Sequence, residues 1–205
     1  MKIQRTSDVA LVQIDDLYRD LRPYMNVEID SEVVGYKSTD APSWIKLAAE
    51  LSWWQQGLSA YAALYIAELV KEAAKESWRA RGKIVSGIFS GANSLRAIAR
   101  AIMRSVSTYE TKAEIILFLP EPDRYFGTGL RLLPNSSEDL EVQLALFVHY
   151  LPKIKEVIDR NSAVNCSPAT GYFLQIIDDG GLLIEWFHAT TLEKQSEILP
   201  LTANA

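Results

Sequence analysis

The sequence predicts an α+β fold in which a long aromatic-seamed helix and a second amphipathic helix pack on a mostly antiparallel sheet of hairpins. Three observations lead there. Apolar residues recur at helical spacing after Asp40, a second helical run follows the stretch "GIFSGANS", and the second half holds paired apolar segments joined by turn-forming residues. Hairpin-linked strands imply antiparallel pairing, which favours α+β over a doubly wound sheet.

Taken in order, "VALVQI" (Val9 to Ile14) reads as a strand or the start of a helix. "DDLYRDL" reads as a short helical turn stopped near Pro23. Asn26 to Tyr36 is rich in β-branched residues and reads as extended, with a hairpin as one possibility. From Asp40, a candidate N-cap, helical character runs to about Trp78. Trp44, Leu47, Leu51, Trp54, Leu58, Tyr61 and Tyr65 are spaced 3-4-3-4-3-4, about three heptads. The one break, Gly57, costs roughly 1 kcal/mol against alanine, which a packed helix tolerates. Such a seam serves either as internal core or as a helix-mediated interface between copies.

A second helix is expected over Ser94 to Val106. Leu95, Ile98, Ala99, Ile102 and Val106 form its apolar face, and Arg96, Arg100 and Arg104 follow one flank at i, i+4 spacing. Then "AEIILFLP" and "TGLRLLP" read as strands around the loop "EPDRYFG". The run from Asn135 to Arg160 reads as a helix capped by Asn135 or Ser136, with Pro152 kinking it or starting another. "GYFLQII" and "GLLIEWF" read as strands joined through Asp178-Asp179-Gly180-Gly181, residues that accept positive φ. A short tail follows. The organisation expected is one domain over 1–205, helical to about residue 110 and hairpin-helix-hairpin over 111–190.

The 205 residues carry a net charge of −5, with 48% hydrophobic and 23% charged content, which excludes disorder as the dominant state. No run approaches the length of a membrane-spanning helix, and the first residues lack the apolar core of a signal peptide. With a single cysteine, Cys166, no internal disulfide can form, so a cytoplasmic setting is expected; peripheral membrane contact stays open.

Charge is distributed unevenly. Residues 71–112 hold nine Lys/Arg against three Glu, a net of +6, and the rest of the chain sits at −11. Lys83, Arg96, Arg100 and Arg104 are therefore the candidate contacts for an anionic ligand or an acidic partner, arginine being suited to bidentate recognition of carboxylate or phosphate. The same residues could instead pair with the chain's own acidic half. Ser90, Gly91, Asn93 and Ser94 could form an anion cradle at a helix N-terminus, but neither the phosphate-loop nor the dinucleotide glycine pattern is present, and a turn with an N-cap accounts for them.

No catalytic residues are assigned. His149 sits among apolar residues, His188 ends a strand, and nothing in the spacing brings Cys166 to either. Carboxylate pairs occur at Asp15/Asp16, Glu121/Asp123 and Asp178/Asp179; the last is turn chemistry, and "EPDRYFG" reads as an exposed loop. No metal-ligand spacing exists and no cofactor is expected. The function expected is a non-enzymatic interaction or regulatory module, self-associating or bound to a protein partner. The alternative is an enzyme or binding domain for a phosphorylated or acidic small molecule that uses segment 83–104. Nucleic-acid binding ranks below both, for want of a recognition motif.

Overall fold

The computed structural model describes residues 1–34, 43–49, 93–109, 113–120, 127–132, 135–161, 171–177 and 180–201. The chain starts in β1 (Lys2–Thr6) and passes into α1 (Leu11–Leu21), which turns Gln13, Ile14, Leu17 and Leu21 inward. The helix ends just before Pro23, with the Arg22 N–H donating to the Tyr18 carbonyl at 2.9 Å. β2 (Glu28–Val34) then lies parallel to β1. The extended character read over Asn26 to Tyr36 is therefore one strand returning through a helix, and the described part forms no hairpin.

Over Trp44 and Leu47 the expected helix is a strand instead. Trp44–Ala48 is strand β3, held antiparallel to β1 on one side and parallel to β4 (Glu114–Leu119) on the other. Alternation of faces replaces the 3-4 spacing: Ile45 and Leu47 are buried with Ile3 on β1 and with Ile115 and Leu117 on β4, and Trp44, itself buried, points with Lys46 and Ala48 to the opposite face. Trp44 and Leu47 thus lie on opposite sides of a sheet and share no stripe. Pairing on both flanks overrides a helical pattern over so few residues. Leu51, Trp54, Leu58, Tyr61 and Tyr65 lie outside the described residues.

α2 (Asn93–Ser107) follows, one residue longer at each end than the sequence predicts, with Ile98, Ala99 and Ile102 buried on one face. β4 and β5 (Thr128–Leu132) pair antiparallel, as expected for two strands joined by a loop. α3 (Ser137–Asn161) is capped by Ser136, whose hydroxyl accepts the Asp139 N–H at 3.1 Å. Asp139 in turn accepts the Asn135 N–H at 2.9 Å. The helix continues through Pro152 and does not divide there; the ring removes only one backbone donor, and Pro152 is exposed to solvent. Every residue from Leu140 to Val148 is buried, as for a helix covered on all sides.

β6 (Phe173–Ile176) and β7 (Leu182–Phe187) form the expected hairpin, with Gly180 at φ 82° and its N–H donating to the Ile177 carbonyl at 2.9 Å. The tail is a further strand. β8 (Lys194–Leu199) pairs antiparallel with β7 and forms the edge.

Among the described residues eight strands lie in the order β2-β1-β3-β4-β5-β6-β7-β8, and five of them come from the second half. Four of the seven neighbouring pairs are antiparallel. The three parallel pairs are β1/β2, β3/β4 and β5/β6, each separated in sequence by a helix: α1, α2 and α3. With β1 to β3 in it, the first half is not simply helical. The helices pack side by side, α2 between α1 and α3, over the face that carries Ile3, Leu47, Leu117, Leu130 and Ile184. Among the described residues no helix is long and apolar enough to cross a membrane.

Candidate functional site

Two surfaces emerge, one on the helical layer and one on the sheet. The first is a groove of about 210 Å³ between α1 and the end of α2, floored by Leu17 and Ala101 and rimmed by Asp16, Arg19, Asp20 and Arg104. Positions 16, 19 and 20 share one flank of α1, so the helix presents two carboxylates and a guanidinium to the same space. Arg104 Nη1 donates to Asp20 Oδ2 at 2.6 Å, and Asp16 accepts from Arg19 and from the Tyr109 hydroxyl. The Tyr109 hydrogen bond, aided by Arg19, holds the Asp16 carboxyl below its ordinary range. The same bond raises the Tyr109 phenol above its own. Beneath the groove Gln13, fully buried, donates Nε2 to the Ser105 carbonyl at 2.8 Å and ties the two helices together.

The arginine ladder does not form one patch. Arg96 Nε meets Glu141 Oε2 of α3 at 3.3 Å, with the arginine side chain 21% exposed and the glutamate 3%. Arg100 is exposed and adds to the forces that lower the Glu138 pKa, behind hydrogen bonds from the Glu138 backbone and the Ser136 hydroxyl. Arg104 faces the opposite way, toward α1. A helix carrying a cation every four residues between two acidic neighbours is neutralised from both sides. Asn93 and Ser94 open α2, whereas Lys83, Ser90 and Gly91 lie outside the described residues. So do Glu121, Asp123 and Cys166.

The second surface is the sheet face turned away from the helices. Cross-strand register places Lys2, Ala48, Phe118, Gly129, Phe173, Glu185 and Ser196 in one row. Gly129 separates the two phenylalanines; a Cβ there would stand 3.2 Å from Ile116 Cγ2. One row over, Lys46 Nζ lies 4.8 Å from the Trp44 ring centre and 4.3 Å from that of Phe118. Its burial pushes the ammonium pKa down. Toward the β8 edge this face mixes apolar and polar side chains: Phe173 is 50% and Ile198 58% accessible, half-buried Leu183 pairs with Ile198 and lies diagonal to Phe173, and Gln175, Glu185 and Ser196 stand beside them.

Both histidines have structural surroundings. His149 packs edge-on to Tyr150, with ring centres 5.3 Å apart, in α3. His188 Nδ1 accepts the N–H groups of Thr190 and Thr191 at 3.3 Å and closes the β7–β8 turn, where Leu192 takes φ 56°. Among the described residues no three His, Cys, Asp or Glu side chains are grouped as a metal ion would require. The sequence reading missed Asp20, Arg19 and Tyr109; the i, i+4 carboxylates Asp16 and Asp20 were the signal available. Comparison with protein-family models, with curated proteins and with solved structures finds no match to this chain.

Proposed function

We propose that this chain is a non-catalytic interaction module that associates with a second copy of itself through the outer part of the sheet. The observation that carries the reading is a diagonal of apolar side chains, Phe173, Leu183 and Ile198, two of them exposed, that crosses to an edge strand with no neighbour on its outer side among the described residues. Edge strands are normally kept apart by charge. Here Lys194 is matched by Glu185 at 2.6 Å, and Glu197 accepts from Arg160, so the charges of β8 are compensated within one chain and oppose pairing less. Unsatisfied ladder groups and an exposed apolar strip at one place favour a partner with the same features, which a second copy supplies.

Sedimentation velocity over a concentration series tests this, with Ile198→Lys as the comparison. The wild-type chain is expected to associate with rising concentration. The variant, which adds a charge to the strip at an exposed position, is expected to stay monomeric with an unchanged circular dichroism spectrum. A wild-type chain that remains monomeric throughout the series refutes the proposal. Association that survives the substitution moves the interface elsewhere.

A further inference from the structure

The groove between α1 and α2 lies on the helical layer, across the sheet from Phe173 and Ile198, and self-association makes no use of it. It combines two features. Its rim alternates charges of both signs, and Ser105, which helps line it, is 3% exposed with a hydroxyl that has no hydrogen-bond partner among the described residues. A buried hydroxyl left without a partner has lost its water without compensation, so a polar atom brought to it by a ligand would recover part of that loss.

We infer that the groove is a binding site for a small zwitterion of the α-amino-acid type, its ammonium taken by Asp20 and its carboxylate by Arg104. Asp20 uses Oδ2 for Arg104 Nη1, which among the described residues leaves Oδ1 and the remaining guanidinium N–H groups for a ligand without breaking the pair. An anion alone would gain Arg104 but approach Asp16 and Asp20; a cation alone would meet Arg19 and Arg104. Only a molecule carrying both charges finds a complement for each and avoids the repulsion. The volume of about 210 Å³ exceeds the about 150 Å³ of a cavity known to take benzene, so one small amino acid fits. Leu17 and Ala101 offer an apolar floor to its carbon atoms, and the Thr108 and Ser105 hydroxyls lie within the same lining.

The test is an NMR titration of the ¹⁵N-labelled chain with glycine, L-serine and L-glutamine, and separately with acetate, methylammonium and inorganic phosphate. The Ala101, Ser105 and Tyr109 amides report on the groove. At least one zwitterion is expected to shift them saturably, and the single-charge ions are expected not to at the same concentration. Arg104→Gln and Asp20→Asn should each weaken the zwitterion by about tenfold or more, the size expected for a lost charged hydrogen bond. The Arg104–Asp20 pair is largely exposed on the arginine side, so these variants are expected to fold, and an unchanged amide spectrum outside the groove verifies that they do. Acetate or phosphate acting as strongly as the zwitterions overturns the inference in favour of a plain anion site. No response to any zwitterion overturns it outright.

Discussion

Removing one partner of the Arg96–Glu141 pair should have very different consequences depending on which partner goes. The glutamate is 3% exposed and the arginine 21%, and they share one contact of 3.3 Å across the α2–α3 interface. Arg96→Met keeps the length and helix propensity of the side chain but leaves a carboxylate buried without its cation. Stranding a buried charge costs about 3–5 kcal/mol. Glu141→Gln leaves a guanidinium that can turn toward solvent along its own stem, so the expected loss is about 1 kcal/mol. Glu141 Oε1 has no hydrogen-bond partner among the described residues, so the native pair is itself incompletely satisfied. The double variant Arg96→Met/Glu141→Leu should therefore recover most of the single-variant loss, and wild-type stability or better is within reach. Urea unfolding followed by circular dichroism, with slopes compared to confirm a common unfolded state, measures all four proteins. An Arg96→Met loss of no more than about 1 kcal/mol, the range of a surface pair, would refute the reasoning. Equal losses for Arg96→Met and Glu141→Gln would refute it as well.

Tyr109→Phe should raise the Asp16 pKa toward the ordinary carboxylate range, because the phenol hydrogen bond is the main force lowering it. A carboxyl with a depressed pKa contributes stability above its unfolded value and loses it as pH falls through the folded one, so the variant should lose this contribution at higher pH; a carbonyl-detected NMR titration reads it. Ser136→Ala removes the side-chain acceptor for the Asp139 N–H and should cost about 1 kcal/mol in urea unfolding. Gly129→Val places branched carbon where a single Cβ already comes within 3.2 Å of Ile116, and a loss of about 1–3 kcal/mol is expected from the same measurement.

Elements with local causes were legible in the sequence. Ile98, Ala99 and Ile102 lie one turn apart and set α2, Ser136 with Asp139 sets the start of α3, and Gly180 sets the β6–β7 hairpin. The errors have a common origin in partners distant in sequence. Trp44 and Leu47 fit a helical seam over a few residues, but β3 is fixed by β1 and by β4, about seventy positions later. β8 carries a charge or polar group at four of its six positions and reads as a tail; only β7 makes it a strand. The parallel pairs escaped because a helix and a long separation hide them, whereas an antiparallel hairpin announces itself in its turn. At the site, the arginine ladder and its pairing with the acidic half were both readable as options, but the particular partners were not, since Asp20 and Glu141 lie 84 and 45 residues from their arginines. The groove was hidden for the same reason: α1 and α2 each supply half of it.

Hydrogen exchange at the β8 amides, measured at low and high protein concentration, tests self-association through the sheet edge most directly. Along an edge strand, alternate N–H groups point away from the neighbouring strand and have no ladder partner until another chain arrives. The account predicts that the outward-pointing amides between Lys194 and Leu199 exchange quickly in dilute protein and become protected as concentration rises, while those facing β7 stay protected throughout. Rapid exchange of the outward amides at every concentration would contradict it.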